Sequence, residues 1–433
     1  MLETNNNIII VDDSEDDLGY LAKVFNGYGI GCRTFLYDEL ETLGRPLENV
    51  KLAFFDVTLT DAGDDTAKMA VLSDALKSYI SKSNKAFVLV FWTKNPEYKE
   101  RFIDFVNRSE DKDDIPKPIC IETIDKIEFL DHDDEIRQRL SELMDEKIVK
   151  CLFSFDTELN AASNQSLNEV LNLIDFPDNW GKNDQFLENI KDVFALIATE
   201  TFGNKRGQKE PDLAIKEAFG PLFLHHLCNQ ESTVWADFFD GTNIARVHNF
   251  PNAGIAAKLN TIFHLDLSDK GEINARGSVR KIKIGDADAE GKFKEQVGYS
   301  IKDWVNTILF KNTKYQGKIN ELVAVEISAA CDYSNQKKRT HQYLLGVIIP
   351  TSIYDQLKDA KLGDACFDLP FTFIYGGEEC HMFLHFTFLI TEEEGNIFSL
   401  LGERLFSLKN EVMNMIGSKH ANHIARIGIS SFR

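Results

Sequence analysis

Residues 6–13 read NNIIIVDD and residues 52–56 read LAFFD, so two wholly apolar runs each stop at aspartate. A short apolar run without polar alternation is typical of a strand that is buried on both faces, as in a parallel sheet. Parallel neighbours open their carboxyl ends on the same edge, which is where open α/β sheets bind ligands. The two runs therefore predict that Asp12, Asp13 and Asp56 meet at one edge of a sheet.

The composition predicts a globular protein of more than one domain. The chain has 433 residues, and this length exceeds the usual size of a single core. Of these residues, 43% are hydrophobic and 27% are charged, as in globular proteins. Its net charge is −21, and the first 150 residues carry −13 of it. Such an acidic chain does not suit a generic nucleic-acid binder, which neutralises phosphates with basic side chains.

Cysteine usage and hydropathy point to the cytoplasm. The seven cysteines are scattered and form no CxxC pair, so neither a disulfide framework nor a standard zinc module is indicated. The beginning, MLETNNNIII, lacks the basic and then apolar pattern of a signal peptide. The longest apolar run, residues 86–92, is too short to cross a bilayer. We therefore expect a cytoplasmic protein without membrane association.

The first 130 residues alternate between strand and helix patterns. This alternation predicts an α/β fold with a doubly wound, five-stranded parallel sheet. The predicted strands are Ile8–Val11, Cys32–Leu36, Leu52–Phe55, Phe87–Phe91 and Ile119–Ile124. Helices are expected from Ser14 and near Asp38–Leu43, Thr66–Ser81 and Pro96–Asn107.

Beyond residue 130 the pattern predicts a connecting helix and two further regions. Apolar residues keep helical spacing from Asp133 to about Asn160 without glycine or proline, which indicates one connecting helix over residues 131–160. Two helices with an unmarked break remain the alternative. Residues 161–270 are expected to be mainly helical, and residues 271–433 to form an α+β region. The expected elements of this last region are strands Val279–Ile284, Leu322–Ile327, Tyr343–Ile349, Phe371–Ile374 and Met382–Leu389 and a helix over Ile397–Ala425.

The acidic strand ends and their spacing resemble the receiver domain of bacterial response regulators. Asp13 and Asp56 lie 43 residues apart, and Thr93 follows the fourth apolar run. The resemblance implies that Asp56 accepts a phosphoryl group and that Thr93 contacts this group through its hydroxyl. It also implies that Mg²⁺ is held by Asp12, Asp13, Asp56 and the carbonyl of Thr58.

The resemblance further implies a lysine at the end of the fifth strand that pairs with the phosphate. Lys126 follows a good apolar strand, whereas Lys117 carries the Lys-Pro dipeptide of the family but follows a charged loop. Lys126 is preferred because its position in the fold restricts the ammonium more firmly, and Lys117 stays the alternative. The chain departs from the family pattern at Thr60, Lys94 and Thr123.

Two functional interpretations follow for the whole chain. In the first, a histidine kinase or another phosphodonor protein modifies Asp56, and the modified domain controls an output region of unknown activity. In the second, a degenerate receiver serves as a protein-docking module of a signalling or phage-defence effector. Self-association is open in both.

The region after residue 150 matches no family pattern. One alternative is a metal-dependent nuclease that uses Glu326, Asp332 and Lys337, and the basic residues 279–283 and 337–339 leave an RNA contact open. Scattered residues that could hold a metal are His264, Asp266, His341, Cys380 and His381.

Overall fold

A computed structural model describes residues 7–38, 43–60, 63–84, 86–129, 132–175, 184–241, 254–268, 273–309, 321–328, 340–357, 365–393 and 400–425. The chain forms two compact units. The first unit comprises residues 1–173 and 220–244, and the second comprises residues 174–219 and 245–433. The predicted boundaries at residues 130, 160 and 270 stay predictions.

The first unit is built on a five-stranded, all-parallel sheet, as the apolar runs predict. Its strands are β1 (Ile8–Asp12), β2 (Arg33–Leu36), β3 (Leu52–Phe55), β4 (Val88–Thr93) and β5 (Cys120–Asp125). They lie in the order β2-β1-β3-β4-β5. The central strands β1, β3 and β4 are buried along their whole length, which explains why they contain no polar alternation.

Helices cover both faces of this sheet, so the fold is doubly wound. Alternate residues of β1, such as Ile9 and Val11, pack with α2 (Asp65–Tyr79) and α3 (Tyr98–Arg108). The intervening residues Ile8 and Ile10 pack with α1 (Glu15–Gly27) and α5 (Asp133–Asp145). A one-turn helix, α4 (Lys126–Phe129), follows β5 directly. The helix predicted near residues 38–43 lies mostly outside the described residues.

Of the two alternatives for residues 131–160, the structure confirms two helices with an unmarked break, and the single connecting helix is wrong. The structure has two helices, α5 and α6 (Lys147–Leu171), separated by Glu146. Glu146 leaves the helical region at ψ 130°, and its N–H donates to Glu142 and Leu143 carbonyls at 3.1 and 3.2 Å. Any residue can adopt these backbone angles, so the break has no glycine or proline to mark it.

The beginning of β3 is tied to α6 through Lys51. The Lys51 ammonium lies 2.6 Å from the carbonyl oxygen of Leu152 and also forms an ion pair with Asp156. Both partners lie one turn apart on the same helix, so one half-buried side chain holds α6 against the start of the central sheet.

The second unit contains an antiparallel, curled sheet of eight strands among the described residues. Seven strands follow the order β10-β12-β9-β8-β7-β13-β6, and β11 pairs with β12. The strands are β6 (Leu265–Asp266), β7 (Ser278–Ile282), β8 (Glu321–Glu326), β9 (Thr340–Pro350), β10 (Cys366–Asp368), β11 (Phe373–Tyr375), β12 (Glu378–Glu393) and β13 (Leu401–Leu408).

The remaining helices are divided between the two units, and one of them, Val234–Phe238, packs with α6 in the first unit. They are α7 (Asp184–Phe202), α8 (Asn204–Lys209), α9 (Pro211–Cys228), α10 (Val234–Phe238), α11 (Ile255–His264), α12 (Ala287–Val297), α13 (Ile301–Asp303), a π-helical turn (Trp304–Leu309), α14 (Thr351–Leu357) and α15 (Asn410–Ile424). The division between the two units falls within α9. No helix among the described residues has both the length and the apolar character needed to cross a membrane.

The helix predicted over residues 397–425 is also wrong in its first half. Residues 401–408 form β13, which pairs with β7 and β6, and the helix begins only at Asn410. The apolar residues before Asn410 are spaced in a way that suits a helix as well as an irregular strand, and burial against β7 decides between them.

Gly346 provides a test of the packing in the second unit. A Cβ added at Gly346 would lie 2.4 Å from the Phe383 carbonyl oxygen and 2.7 Å from a Leu384 methyl carbon. We expect Gly346→Ala to destabilise the sheet by about 1–3 kcal/mol because the neighbouring strand must shift. Hydrogen exchange of β9 and β12 measures this loss of protection.

Gly417→Ala is the matched control. Gly417 is exposed within α15, and an added Cβ meets no atom within 4 Å. The same change there should stabilise the helix by roughly 0.5–1 kcal/mol, since alanine is the better helix former. Unchanged protection of β9 in Gly346→Ala would contradict the close strand approach.

Candidate functional site

The carboxyl ends of β1 and β3 bring the acidic residues together. Val11 is paired with Phe55, so Asp12 and Asp56 leave the sheet at the same level. One carboxylate oxygen from each of Asp12, Asp13 and Asp56 lies within 4.8 Å of the others. Asp12 and Asp56 are buried, whereas Asp13 is exposed. This group is the acidic triad.

The Lys126 ammonium lies in the middle of this edge. Lys126 is only 1% exposed, and its Nζ donates to Asp12 Oδ2 at 2.7 Å, to Asp56 Oδ2 at 2.7 Å and to Asp17 Oδ2 at 2.9 Å. An ammonium has three N–H donors, so each donor has one carboxylate partner. The structure thus places Lys126 beside the triad through its position at the start of α4, directly after β5.

Lys117 lies elsewhere. Its Nζ pairs with Asp113 at 2.8 Å on the surface, in the loop that precedes β5. Of the two lysines considered from the sequence, Lys126 is therefore the one that contacts Asp56.

The remaining oxygens of Asp12 and Asp56 accept bonds from nearby groups. Asp12 Oδ1 accepts from the N–H of Ser14 at 3.0 Å. Asp56 Oδ1 accepts from the N–H and the hydroxyl of Thr58 at 3.0 and 3.2 Å. Both carboxylates are thereby held in one orientation, with one oxygen facing the local backbone and the other facing Lys126.

Thr93 ends β4, the strand next to β3. It is fully buried, and its hydroxyl accepts from the N–H of Asn95 at 3.2 Å. Since β3 and β4 are parallel neighbours with Phe55 paired to Phe91, Thr93 leaves the sheet on the same edge as Asp56.

The electrostatics of the site reflect four carboxylates around one ammonium. Burial raises the pKa of Asp12 to about 7, against the opposing effect of Lys126. Burial and the neighbouring Asp56 also raise the pKa of Asp13. Burial alone would lower the pKa of Lys126, but Asp56 and Asp12 outweigh it and raise that pKa. The site is therefore rich in negative charge that one lysine does not fully offset.

Asp17 is the functional-site residue that the sequence reasoning missed. The sequence Ser14-Glu15-Asp16-Asp17 suits the N-terminus of a helix without any tertiary contact, and Ser14 does cap α1 by accepting from the Asp17 N–H at 3.3 Å. The Asp17 side chain, however, lies on the buried face of α1 together with Leu21 and Val24. A charged residue within the apolar stripe of a helix requires a buried partner, and this signal could have identified Asp17.

Among the described residues, the candidates in the second unit do not assemble into a comparable site. Glu326 Oε1 lies 3.3 Å from His341 Nδ1, with both residues buried, whereas Asp332 and Lys337 lie outside the described residues. His264 and Asp266 line an open cavity of about 670 Å³.

Cys380 and His381 lie on β12. Cys380 packs within the sheet core, and the His381 ring stacks on Tyr354 with centroids 3.5 Å apart. Within the described part of the chain, Asp12, Asp13 and Asp56 are the only group of three or more acid, histidine or cysteine side chains that could hold a metal.

Comparison with known proteins adds no assignment. No protein-family model, no curated protein and no solved structure matches the chain.

The raised pKa of Asp12 predicts a pH-dependent effect of Asp12→Asn. Folded Asp12 keeps a proton that the unfolded chain loses above its ordinary pKa of 3.8, so the stability contributed by this proton is lost as pH rises toward about 7. Asparagine cannot ionise. The effect of the substitution on stability should therefore be more favourable at pH 8 than at pH 5 by about 2 kcal/mol.

Hydrogen exchange of β1 and β3 with a metal chelator present measures this difference. Asp16→Asn is the control, because it removes an exposed carboxylate in the first turn of α1 and should leave the wild-type pH profile of stability in place. An Asp12→Asn effect that is equal at both pH values would show that Asp12 is ionised throughout.

Proposed function

We propose that the first unit contains a phosphoacceptor domain of the response-regulator type, which accepts a phosphoryl group on Asp56 in the presence of Mg²⁺. The observation that carries this proposal is the contact of one buried ammonium with both Asp12 and Asp56 at 2.7 Å. Such a group is suited to offset charge at the end of β3, where a phosphoryl group would be attached.

The fold supports this proposal. The strand order β2-β1-β3-β4-β5 is the 2-1-3-4-5 order of flavodoxin-like folds, in which ligands bind at the carboxyl edge beside the switch between β1 and β3. Asp12 is the last residue of β1, and Asp56 directly follows β3. The site therefore lies where the topology of an open α/β sheet favours a ligand.

The proposed step is a phosphoryl transfer to a carboxylate. An oxygen of Asp56 forms a bond to phosphorus, while the bond between phosphorus and the donor's leaving group breaks and the leaving group takes the electron pair. Lys126 then offsets negative charge on the phosphoryl oxygens. Thr93, which ends the neighbouring strand, would donate its hydroxyl to one of these oxygens.

The acidic triad fits a magnesium ion. Carboxylate oxygens are the ligands that Mg²⁺ prefers, and three of them lie within 4.8 Å of one another. Asp12, Asp13, Asp56 and the carbonyl of Thr58 would hold the ion, which supplies positive charge for the transfer. The site has more carboxylates than ammonium groups, so a divalent cation would offset negative charge that Lys126 does not neutralise.

The rest of the chain would act as the output region. In this proposal the receiver-like fold is followed by helices α5 and α6 and by the α+β second unit, and a histidine kinase or another phosphodonor protein is the partner. The output reaction carries no assignment.

A docking module is the second candidate, and one observation favours it. All three donors of Lys126 bind carboxylates, those of Asp12, Asp17 and Asp56. The ammonium therefore bridges these carboxylates without any added cation. Such a domain could bind partners in its unmodified state alone.

Treatment with a small phosphodonor separates the two candidates. The full chain, incubated with acetyl phosphate or phosphoramidate and Mg²⁺, should gain the mass of one phosphoryl group, because Asp56 is the acceptor. Asp56→Asn should lose this gain, since an amide is a poor nucleophile. Intact-protein mass spectrometry at neutral pH measures both.

Asp16→Asn is the control here too, since it removes one exposed acid near the site and should keep the mass gain. Labelling of Asp56→Asn to the wild-type extent would place the phosphoryl group elsewhere. Absence of any gain in the wild type, with every donor and with Mg²⁺ present, would favour the docking module instead.

A further inference from the structure

We propose that the Lys126 ammonium is a tethered counter-ion that a divalent cation must displace, and that Asp17 is the carboxylate that receives it. This inference rests on the cation site of the proposed function and concerns its regulation. Lys126 would have two positions: a closed one shared by Asp12, Asp56 and Asp17, and an open one held by Asp17.

The carboxylate oxygens that could bind a cation already have hydrogen-bond partners. Asp12 and Asp56 each have one oxygen bonded to nearby backbone N–H groups and the other bonded to Lys126. A cation that binds both carboxylates would lie close to the Lys126 ammonium, because one oxygen of each acid lies within 4.8 Å of the other. The ammonium and the cation therefore repel each other and compete for the negative charge of the same two carboxylates.

A displaced Lys126 ammonium needs another partner inside the protein. Lys126 is 1% exposed, so its charge cannot reach bulk water without local opening of the site. A buried charge without a partner is strongly disfavoured. Displacement is therefore feasible only if another buried carboxylate remains within reach of Nζ.

Asp17 meets this condition. Its Oδ2 lies 2.9 Å from Nζ, and its side chain is 90% buried. Asp17 comes from α1 instead of a strand end, and it lies outside the group of three acids that could hold a metal. It can hence keep Lys126 paired while Asp12 and Asp56 bind the cation.

This arrangement makes cation binding and lysine position two parts of one equilibrium. A site without Asp17 would leave Lys126 with partners only in the acidic triad, and the closed position would be favoured. A site without Lys126 would have no internal competitor. Asp17 is thus a positioning residue that acts through Lys126 and sets the affinity for the cation.

The test is isothermal titration calorimetry, in which the full chain is titrated with Mg²⁺ at about pH 7.5. The signal of the site is the part that Asp56→Asn removes. We expect Lys126→Met to bind Mg²⁺ about tenfold more tightly, and Asp17→Asn to bind about tenfold more weakly than the control Asp16→Asn. In the Lys126→Met background, Asp17→Asn should weaken binding no more than Asp16→Asn does.

Asp17→Asn keeps the shape of the side chain and leaves Lys126 two ionic partners, so this variant decides the question even if Lys126→Met fails to fold. Equal Mg²⁺ affinity in Asp17→Asn and Asp16→Asn would overturn the inference. So would a Lys126→Met variant that binds no more tightly than the wild type.

Phosphodonor labelling of the same samples separates this inference from the proposed function. If the wild type is labelled but Asp17→Asn and Asp16→Asn bind Mg²⁺ equally well, only the proposed role of Asp17 is wrong. The expected order of affinities without any labelling keeps the counter-ion role and removes the phosphoacceptor function.

Discussion

The first unit depends on one buried ion cluster, in which a single ammonium bridges carboxylates that would otherwise repel one another. Lys126 joins groups from β1, β3 and α1 that are 114, 70 and 109 residues away in sequence. Removing one partner of a buried cluster leaves uncompensated charge, which is strongly destabilising. The positions of β5, of the first turn of α1 and of the edge of the central sheet are therefore linked through one side chain, and any ligand that binds at this edge has to act on that link.

Much of the first unit could be predicted because its elements are determined by their own sequence. Continuous apolar runs occur where strands are buried on both faces, and the acids that end them mark the carboxyl edge of the sheet. This reasoning was sufficient to bring Asp12, Asp13 and Asp56 to one edge, and the resemblance to receiver domains added Lys126 with Lys117 as the alternative. It missed Asp17, because an acid in the first turn of a helix is explained adequately without a tertiary partner. It left the break at Glu146 as one of two alternatives, because ordinary backbone angles interrupt an apolar pattern that continues across it.

The second unit was harder to predict because distant contacts decide its elements. Residues 401–408 are a strand through their pairing with β7 and β6, and the register with β7 shifts near Arg404. At this irregularity, the buried Arg280 donates through Nη2 and Nε to the carbonyl oxygen of Gly402 at 2.6 and 3.0 Å. The partner of this carbonyl group is thus a guanidinium 122 residues away in sequence. Neither local propensity nor periodicity contains this information, so a helix was the natural interpretation of the same residues.

The contact of Lys51 with α6 has a mechanical consequence. Strand β3 carries Asp56 after its last residue and Lys51 before its first, and hydrogen bonds to β1 and β4 hold it in register on both sides. A strand held in this way resists a shift in register, because sliding it by one position would turn every buried side chain to the opposite face. The Lys51 contact with α6 and the acidic edge at Asp56 therefore lie at the two ends of the same strand. Displacements of β3 that are too small to change its pairing would reach both ends together.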